Sequence, residues 1–339
     1  MMDPRWMFGI VAVAGTLASF AILRFLLATG LAWRLATDTP NDRSLHTKPV
    51  PRVGGWAVVP VACLLIGIAA PRLWLAAALA LALAVVSQID DRRGLPARVR
   101  FAAHIAAVAI FIVAQPAGVP VWALIVLGVL LVWLVNLYNF MDGSDGLAGG
   151  MALFGFGGYA IAASLGPHPD QQLALAATAI AASALGFLFL NFHPARVFLG
   201  DAGSIPLGFL AGALGYWGWT QSVWPIWFPA VVFLPFIADA SVTLLKRALR
   251  GEKVWLAHRE HYYQRMVRSG MGHAVTARIW YAIMAAGVLI AAFTLALQPM
   301  IQWCIAIAWS AVLLLAGVGI DRRWHRHLAR MNNAEGIRK

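Results

Sequence analysis

Charged residues are scarce in this sequence, and acidic residues are the scarcest of them. Only 12% of the 339 residues are charged, with 14 Asp and Glu against 26 Lys and Arg, whereas 61% are hydrophobic. A soluble domain of this length could not bury so many apolar side chains around one core. The composition therefore excludes an ordinary soluble enzyme and predicts a chain whose main solvent is lipid.

Cysteine is nearly absent, and no long-period repeat or low-complexity segment is found. The two cysteines, Cys63 and Cys304, lie far apart inside apolar runs, which argues against a disulfide framework and a cysteine metal site. Both are expected to be small core residues. We predict a single integral membrane domain over residues 1–320, followed by a basic cytoplasmic tail at 321–339.

Apolar runs long enough to cross a bilayer recur along the whole chain. Because backbone polar groups in lipid must be paired within the protein, such runs predict an all-α polytopic membrane fold. The first run is too long for the hydrophobic part of a signal peptide, so we expect a retained anchor. Gly, Pro and charged residues divide the runs into about eleven transmembrane helices, at about 7–29, 53–70, 72–89, 100–115, 119–138, 150–166, 172–191, 203–220, 225–245, 276–297 and 300–319.

Basic residues are concentrated in alternate loops. The loops beginning near 34, 90, 139, 192, 246 and 320, with the adjoining span ends, hold all of the 26 Lys and Arg except Arg5, Arg24 and Arg72. The positive-inside rule assigns these loops to the cytoplasm, with the N-terminus outside and the C-terminus inside a bacterial inner membrane. The net charge of +12 is thereby explained by topology, and nucleic-acid binding is not expected.

Two adjacent carboxylates, Asp90 and Asp91, lie where the third predicted span leaves the membrane. Neighbouring carboxylates repel each other, and near a low dielectric they share a proton or bind a cation. A solvated helix end with nearby arginines is the alternative interpretation.

The end of the fifth predicted span carries a second polar group. Asn136 and Asn139 are one helical turn apart, and Asp142 follows one turn later. Such oxygen ligands suit Mg²⁺, which uses few protein carboxylates and keeps positions for substrate phosphate. Gly143 and Gly146 allow tight turns and close approach to an anion. A structural Asn/Asp turn would look similar.

Two further aspartates lie near predicted span ends. Asp201 precedes the eighth span, where it is either a helix cap or a metal ligand. Asp239 lies in the ninth span, and an aspartate within the membrane is a candidate functional residue by default. Its interfacial position also allows simple pairing with Lys246 or Arg247.

The longest cytoplasmic loop is basic. His258 and His261 would share a face of a helix, beside Arg259 and Arg265. This pattern favours contact with phosphate. Zinc binding is the weaker alternative, because no third ligand is nearby.

Four segments, IDDRRGL, NLYNFMDGSDGLAGG, FLGDAGS and HREHYYQR, follow in this order on the predicted cytoplasmic side. Together they resemble the polyprenyl-phosphate N-acetylhexosamine-1-phosphate transferase family, which also contains phospho-MurNAc-pentapeptide transferase. The muramyl-pentapeptide branch typically has three consecutive histidines where this sequence has HREH. The pattern is more similar to the branch that starts O-antigen, common-antigen or teichoic-acid linkage chains.

The resemblance implies a cytoplasmic active-site cleft and transfer of N-acetylhexosamine-1-phosphate from a UDP-sugar to undecaprenyl phosphate, with release of UMP. It implies Mg²⁺ as cofactor, with Mn²⁺ as an alternative ion, and we add a homodimer as an expectation. The catalytic residues would be Asp90, Asp91, Asp142, His258 and His261. The substrate-binding residues would be Lys48, Asn136, Asn139, Arg196, Arg259 and Arg265, and the metal ligands Asp201, Asn139 and Asp142.

A secondary transporter is the alternative from another class, with Asp239 as a coupling residue. A transporter should keep ionisable residues near the midplane of the membrane, whereas here they gather at one predicted face. Whether the lipid phosphate attacks directly, or an aspartate first forms a covalent phosphosugar, stays open.

The predicted topology can be tested by cysteine labelling. In a chain lacking Cys63 and Cys304, single cysteines placed near Asp91, Ser144 and Arg259 should react with a membrane-impermeant thiol reagent only after the inner membrane is opened. Labelling of any of the three in intact spheroplasts would contradict a shared cytoplasmic face.

Overall fold

The computed structural model describes residues 4–40, 45–46, 48–256 and 258–336, most of which are helical. Two short strands, β1 (Thr37–Asp38) and β2 (Val50–Pro51), pair antiparallel, with Thr37 opposite Pro51. The helices are α1 (Pro4–Ala28), α2 (Leu31–Leu35), α3 (Gly55–Ala69), α4 (Trp74–Arg93), α5 (Ala97–Ala114), α6 (Val121–Phe140), α7 (Leu147–Leu165), α8 (Gln171–Asn191), α9 (Asp201–Thr220), α10 (Trp227–Val232), α11 (Leu234–Leu249), α12 (Tyr262–Met266), α13 (Gly272–Thr294) and α14 (Pro299–Gly336).

The helical membrane architecture is confirmed in its coarse form. Every predicted span overlaps a helix, and within the described residues eight helices are long and apolar enough to cross a bilayer. Helix α3 is apolar but only 15 residues long, and α9 is not among the eight. The count of eleven and the orientation stay predictions.

Helix α9 is enclosed by protein along most of its length. Its residues 202–218 are all buried, and it packs against α3, α4, α5, α6 and α7. The small residue Gly208 lets α6 approach closely, since a Cβ there would lie 2.9 Å from the Cα of Val135. A helix shielded in this way can begin with a carboxylate such as Asp201 without exposing it to lipid.

The predicted span at 225–245 is divided in two. Helix α10 ends at Val232 and α11 begins at Leu234, with Phe233 between them. Pro235 has no N–H to continue the helical hydrogen bonds, and proline fits the first turn of a new helix.

Asp239 anchors the start of α12. Its buried carboxylate accepts hydrogen bonds from the backbone N–H groups of Tyr262 (2.9 Å) and Tyr263 (3.0 Å) and contacts Nδ1 of His261 at 3.1 Å. A carboxylate at the beginning of a helix satisfies N–H groups that have no partner within the helix. Pairing with Lys246 or Arg247 is therefore not what holds Asp239.

Helix α14 continues well past the last predicted span. It runs without a break from Pro299 to Gly336, so the described part of the predicted tail is a helical extension of the membrane helix. This extension places its basic residues on a rigid element.

The contact between α3 and α9 predicts a sharp sensitivity at one glycine. A Cβ at Gly55 would lie 2.4 Å from the backbone N of Gly203, whereas a Cβ at Gly67 on the same helix would meet nothing within 4 Å. Gly55→Ala should lower stability by about 1–3 kcal/mol or more through overpacking, and Gly67→Ala should not. Thermal unfolding in detergent, followed by size-exclusion chromatography, measures both. Equal melting of the two variants would contradict the close contact.

Candidate active site

Segments from four parts of the chain meet in one cleft of 260 Å³ at the end of the helix bundle. They are the β1–β2 region, the connection from α6 to α7, the connection from α8 to α9, and the segment from α12 to the start of α13. The lining side chains used below are Arg52, Asn139, Asp142, Ser144, Asp145, Asn191, Asp201, Gln264 and His273.

The start of α3 is tied to the loop before α9 by backbone hydrogen bonds. The N–H groups of Gly54 and Gly55 donate to the carbonyls of Phe198 and Leu199 at 2.8 and 2.9 Å. Gly200, with φ of 74°, then turns the chain into α9 in a conformation that favours glycine. This arrangement brings together two residues 149 positions apart, Arg52 and Asp201.

Arg52 provides the positive charge of the cleft. Its Nη2 lies 3.0 Å from Oδ1 of Asp201 and 3.8 Å from Oδ1 of Asp91. Burial opposes the charge on the guanidinium, but the carboxylates of Asp201 and Asp91 outweigh this and raise its pKa. Arg52 was not among the residues singled out from sequence.

Asp142 lies in a strongly desolvated position beside this ion pair. Burial raises its pKa well above the usual range, and Asp201 adds to the shift. Arg52 and a backbone hydrogen bond from Gly200 act in the opposite direction. A carboxyl group whose ionised form is this unfavourable needs another cation nearby if it is to stay charged at neutral pH.

Asn139 is fixed by the first turn of α9. The hydroxyl of Ser204 contacts the amide oxygen of Asn139 at 2.8 Å and the carbonyl of Gly200 at 3.2 Å. The predicted metal ligands Asn139, Asp142 and Asp201 therefore line one cleft.

This donor set fits a magnesium ion that relies on substrate oxygens. Among the described residues, no group of three His, Cys, Asp or Glu side chains is placed to hold a metal. Two carboxylates, from Asp142 and Asp201, and the amide oxygen of Asn139 suit Mg²⁺, which usually keeps water and phosphate in its remaining positions. The observation that favours a cation here is that Asp142 and Asp201 both line the cleft beside a single guanidinium, that of Arg52.

The two adjacent aspartates on α4 point to different partners. Asp90 accepts hydrogen bonds from Arg100 at 2.9 Å and from the backbone N–H of Leu95 at 2.7 Å, which joins α4 to α5. Asp91 instead lies near Arg52, next to the cleft. Asp90 therefore serves to join two helices rather than forming a solvated helix end, and Asp91 is the member of the pair that lies near Arg52.

Asn191 joins two of the loops that form the cleft. Its amide oxygen accepts from the N–H of Gly146 at 3.0 Å, and its amide nitrogen donates to the carbonyl of Val197 at 2.9 Å. Gly146 has φ of 75°, and its carbonyl accepts from the hydroxyl of Tyr281 at 2.7 Å. Gly146, the second glycine of the DGSDG segment, thus contributes to the packing of these loops.

A cluster of imidazoles surrounds Asp145. The carboxylate contacts Nδ1 of His193 at 2.6 Å, and the rings of His193 and His273 stack 5.4 Å apart. Nδ1 of His273 lies 2.9 Å from the hydroxyl of Ser144, and its Nε2 lies 3.3 Å from the carbonyl of Leu45. His273 was missed from sequence because it is a single histidine 128 residues after Asp145, and no local pattern marks it.

The two predicted histidines lie together, and neither is among the residues that line the cleft. Their rings are 4.8 Å apart, and His261 is buried and held by Asp239. Burial lowers the pKa of His258 to about 4, with further lowering by His261 and Arg247. His258 is therefore neutral at pH 7 and would offer a hydrogen bond rather than a charge.

The predicted substrate-binding arginines are not brought to the cleft. Arg265 is buried and pairs with Glu260 and Asp321. Arg259 is half-buried, and its backbone carbonyl accepts from Arg268 at 3.1 Å. Arg196 lies in a separate groove between α1 and α8.

Asn136 and Lys48, also predicted to bind substrate, do not line the cleft. Asn136 donates to the carbonyl of Val132 one turn earlier in α6, at 2.7 Å. Lys48 is exposed, next to β2.

Comparisons with known proteins show the family to which the chain belongs. Residues 73–218 match the model of the family described as Glycosyl transferase family 4. A Bacillus subtilis protein named probable undecaprenyl-phosphate N-acetylglucosaminyl 1-phosphate transferase is 31% identical over 309 residues, covering 84% of each chain. The chain belongs to the polyprenyl-phosphate N-acetylhexosamine-1-phosphate transferase family. The resemblance inferred from the four sequence segments is confirmed.

Other members of the family are also similar. A decaprenyl-phosphate N-acetylglucosaminephosphotransferase of Mycobacterium leprae is 28% identical and covers 80% of this chain and 81% of its own. A phospho-N-acetylmuramoyl-pentapeptide-transferase of a Synechococcus strain is 32% identical over a shorter part, 61% of this chain and 66% of its own. The eight candidate spans of the present chain indicate that it, too, is a multi-pass membrane protein.

The cluster around Arg52 predicts a shift in pH dependence. The pKa of Asp142 is raised in the folded protein, and Arg52 is a group that lowers it, so Arg52→Gln should raise it further. If ionised Asp142 is needed for activity, the acid limb of the pH profile moves to higher pH. At pH 7, kcat/KM should fall on the order of 10- to 100-fold from the lost charged interaction.

The measurement is kcat/KM across pH at saturating Mg²⁺, with Arg196→Gln as the matched control outside the cleft. An unshifted acid limb in Arg52→Gln would contradict the coupling to Asp142. A large loss in Arg196→Gln would instead support the sequence-based prediction that Arg196 binds substrate.

Proposed function

We propose that this protein transfers an N-acetylhexosamine-1-phosphate from a UDP-sugar to undecaprenyl phosphate, with release of UMP. The reaction takes place at the cytoplasmic face of a bacterial inner membrane and starts a lipid-linked cell-surface polysaccharide of the O-antigen type. The observation that carries the proposal is the convergence of Asn139, Asp142, Asp201 and Arg52 in one cleft at the end of the bundle. N-acetylglucosamine is the favoured sugar, because the Bacillus subtilis relative is named for it.

The reaction requires two anions to meet. An oxygen of the lipid phosphate forms a bond to the β-phosphorus of the UDP-sugar while the bond to the UMP oxygen breaks. Charge spreads over the transferring phosphoryl group, so a site for this reaction must offer positive charge and fixed hydrogen-bond donors. Mg²⁺, held by Asp142, Asp201 and Asn139, would supply neutralising charge at the phosphates.

The protein's own groups divide the remaining tasks. Arg52 pairs with Asp201 in the cleft and would contact an incoming phosphate oxygen. Neutral His258 would contribute a hydrogen bond rather than a charge. A second phosphate pKa near roughly 6 leaves the lipid phosphate mostly ionised at pH 7, so direct attack needs no strong base. Direct attack is the mechanism we favour.

The transporter alternative gains no support from a specific contact. Its coupling residue would be Asp239, but that carboxylate is occupied by two backbone N–H groups and His261. The polar side chains of the cleft instead gather at one end of the bundle.

Asp201→Asn tests the proposed activity. The substitution removes the negative charge that we assign to metal binding, so transfer should fall on the order of 100- to 1000-fold. Membranes containing the variant are incubated with radiolabelled UDP-N-acetylglucosamine and undecaprenyl phosphate, and organic-extractable label is counted with and without EDTA.

Asp170→Asn is the matched control. Asp170 caps α8, accepting from the N–H groups of Gln172 and Leu173 at 3.0 Å, and does not line the cleft. Wild-type transfer by Asp201→Asn, or transfer that EDTA does not reduce, would refute the metal assignment. Absence of labelled lipid from the wild type with every UDP-sugar tried would refute the proposed reaction.

A further inference from the structure

A second pocket, of 460 Å³, lies on the extension of α14 and is lined by basic side chains. Arg322, Arg326 and Arg330 are spaced four residues apart, so they share one face of this helix. Arg323 and His327 complete the basic lining. No lining residue is shared with the candidate active site.

One side of the pocket is held by contacts between α14 and the segment after α12. The guanidinium of Arg323 donates to the hydroxyl and to the carbonyl of Ser269, at 3.2 and 3.3 Å. Arg268 lies 4.9 Å from the ring of Trp324, which stacks on His327. These contacts join α14 to the segment that follows α12.

Three arginines of the pocket form no ion pair with a carboxylate among the described residues. Asp321 precedes the basic run but already pairs with Lys246 and Arg265. Among the described residues, no ion pair joins a carboxylate to Arg322, Arg326 or Arg330. Topology alone favours basic residues at this end of a span, but it requires neither a concave arrangement nor a locked Arg323.

The pocket lies just past the end of the apolar part of α14. The apolar part of α14 ends at about Ile320, and Arg323 is one helical turn further on, about 4.5 Å along the axis. A mostly apolar groove of 380 Å³ runs between α11, α13 and α14 and includes Met266 and Ile320. Ser269 and Arg323 of the basic pocket lie one turn beyond these two residues.

We propose that the basic pocket binds the headgroup phosphate of an anionic phospholipid, with an acyl chain along the adjacent apolar groove. Clustered arginines at the cytoplasmic end of a span attract anionic headgroups, and a guanidinium can bind two phosphate oxygens at once. The apolar groove would hold the acyl chain, and the basic pocket would hold the headgroup phosphate. A free nucleotide would use only the head site.

Lipid binding to the purified full-length protein in neutral detergent tests the proposal. Native mass spectrometry with phosphatidylglycerol and with zwitterionic phosphatidylethanolamine gives an apparent Kd for each. Arg322→Gln/Arg326→Gln should weaken phosphatidylglycerol binding by about 30-fold and leave phosphatidylethanolamine binding unchanged. Arg330→Gln, a milder second variant, should weaken it by about fivefold.

Arg34→Gln/Arg98→Gln removes the same charge from exposed positions outside the pocket and should keep wild-type lipid affinity. Equal affinity of the wild type for the two lipids would overturn the proposal. So would unchanged phosphatidylglycerol binding in both pocket variants. Displacement of phosphatidylglycerol by millimolar inorganic phosphate or UMP would assign the pocket to a soluble phosphate instead.

Discussion

The candidate site depends on one guanidinium placed among carboxylates. Arg52 contacts Asp201 and Asp91, while Asp142 lies in the same cleft with its pKa raised by burial. Such a group of acids is stable near a low dielectric only if cations compensate it. Arg52 compensates part of this charge. Under the proposed function, a cation that arrives with the substrate phosphates would compensate the rest.

The close approach of backbones is what brings these groups together. Gly55 meets Gly203 where α3 and α9 begin, so Arg52 and Asp201 become neighbours. A Cβ at Gly143 would lie 2.2 Å from the hydroxyl of Tyr263, which also donates to the carbonyl of Phe140 at 3.2 Å. The end of α6 is thereby held against α12. Small residues at these contacts set the positions of the charged ones.

The sequence predicts those cleft residues that lie close together along the chain. Residues of one turn, such as Asn139 and Asp142, were found because their spacing is visible along the chain, and Asp201 was marked by its place before a helix. Arg52 and His273 were missed because their partners are 149 and 129 positions away. Hydropathy also suggested one continuous span at 225–245, since a break at Phe233 leaves no change in apolar character. Asp239 looked functional because its backbone partners, the N–H groups at Tyr262 and Tyr263, cannot be read from composition.

The two histidines illustrate how packing changes the chemistry that a motif suggests. A basic loop with His258 and His261 implies positive charge for phosphate, but half-burial near His261 and Arg247 keeps His258 neutral. His261 contacts Asp239, and Arg265 forms ion pairs with Glu260 and Asp321. The loop remains basic, but His258, His261 and Arg265 contribute hydrogen bonds and fixed contacts rather than free positive charge. It follows that the positive charge of the cleft itself rests on Arg52, with Mg²⁺ as the further cation under the proposed function, so removal of either should lower activity more than neutralisation of the loop arginines.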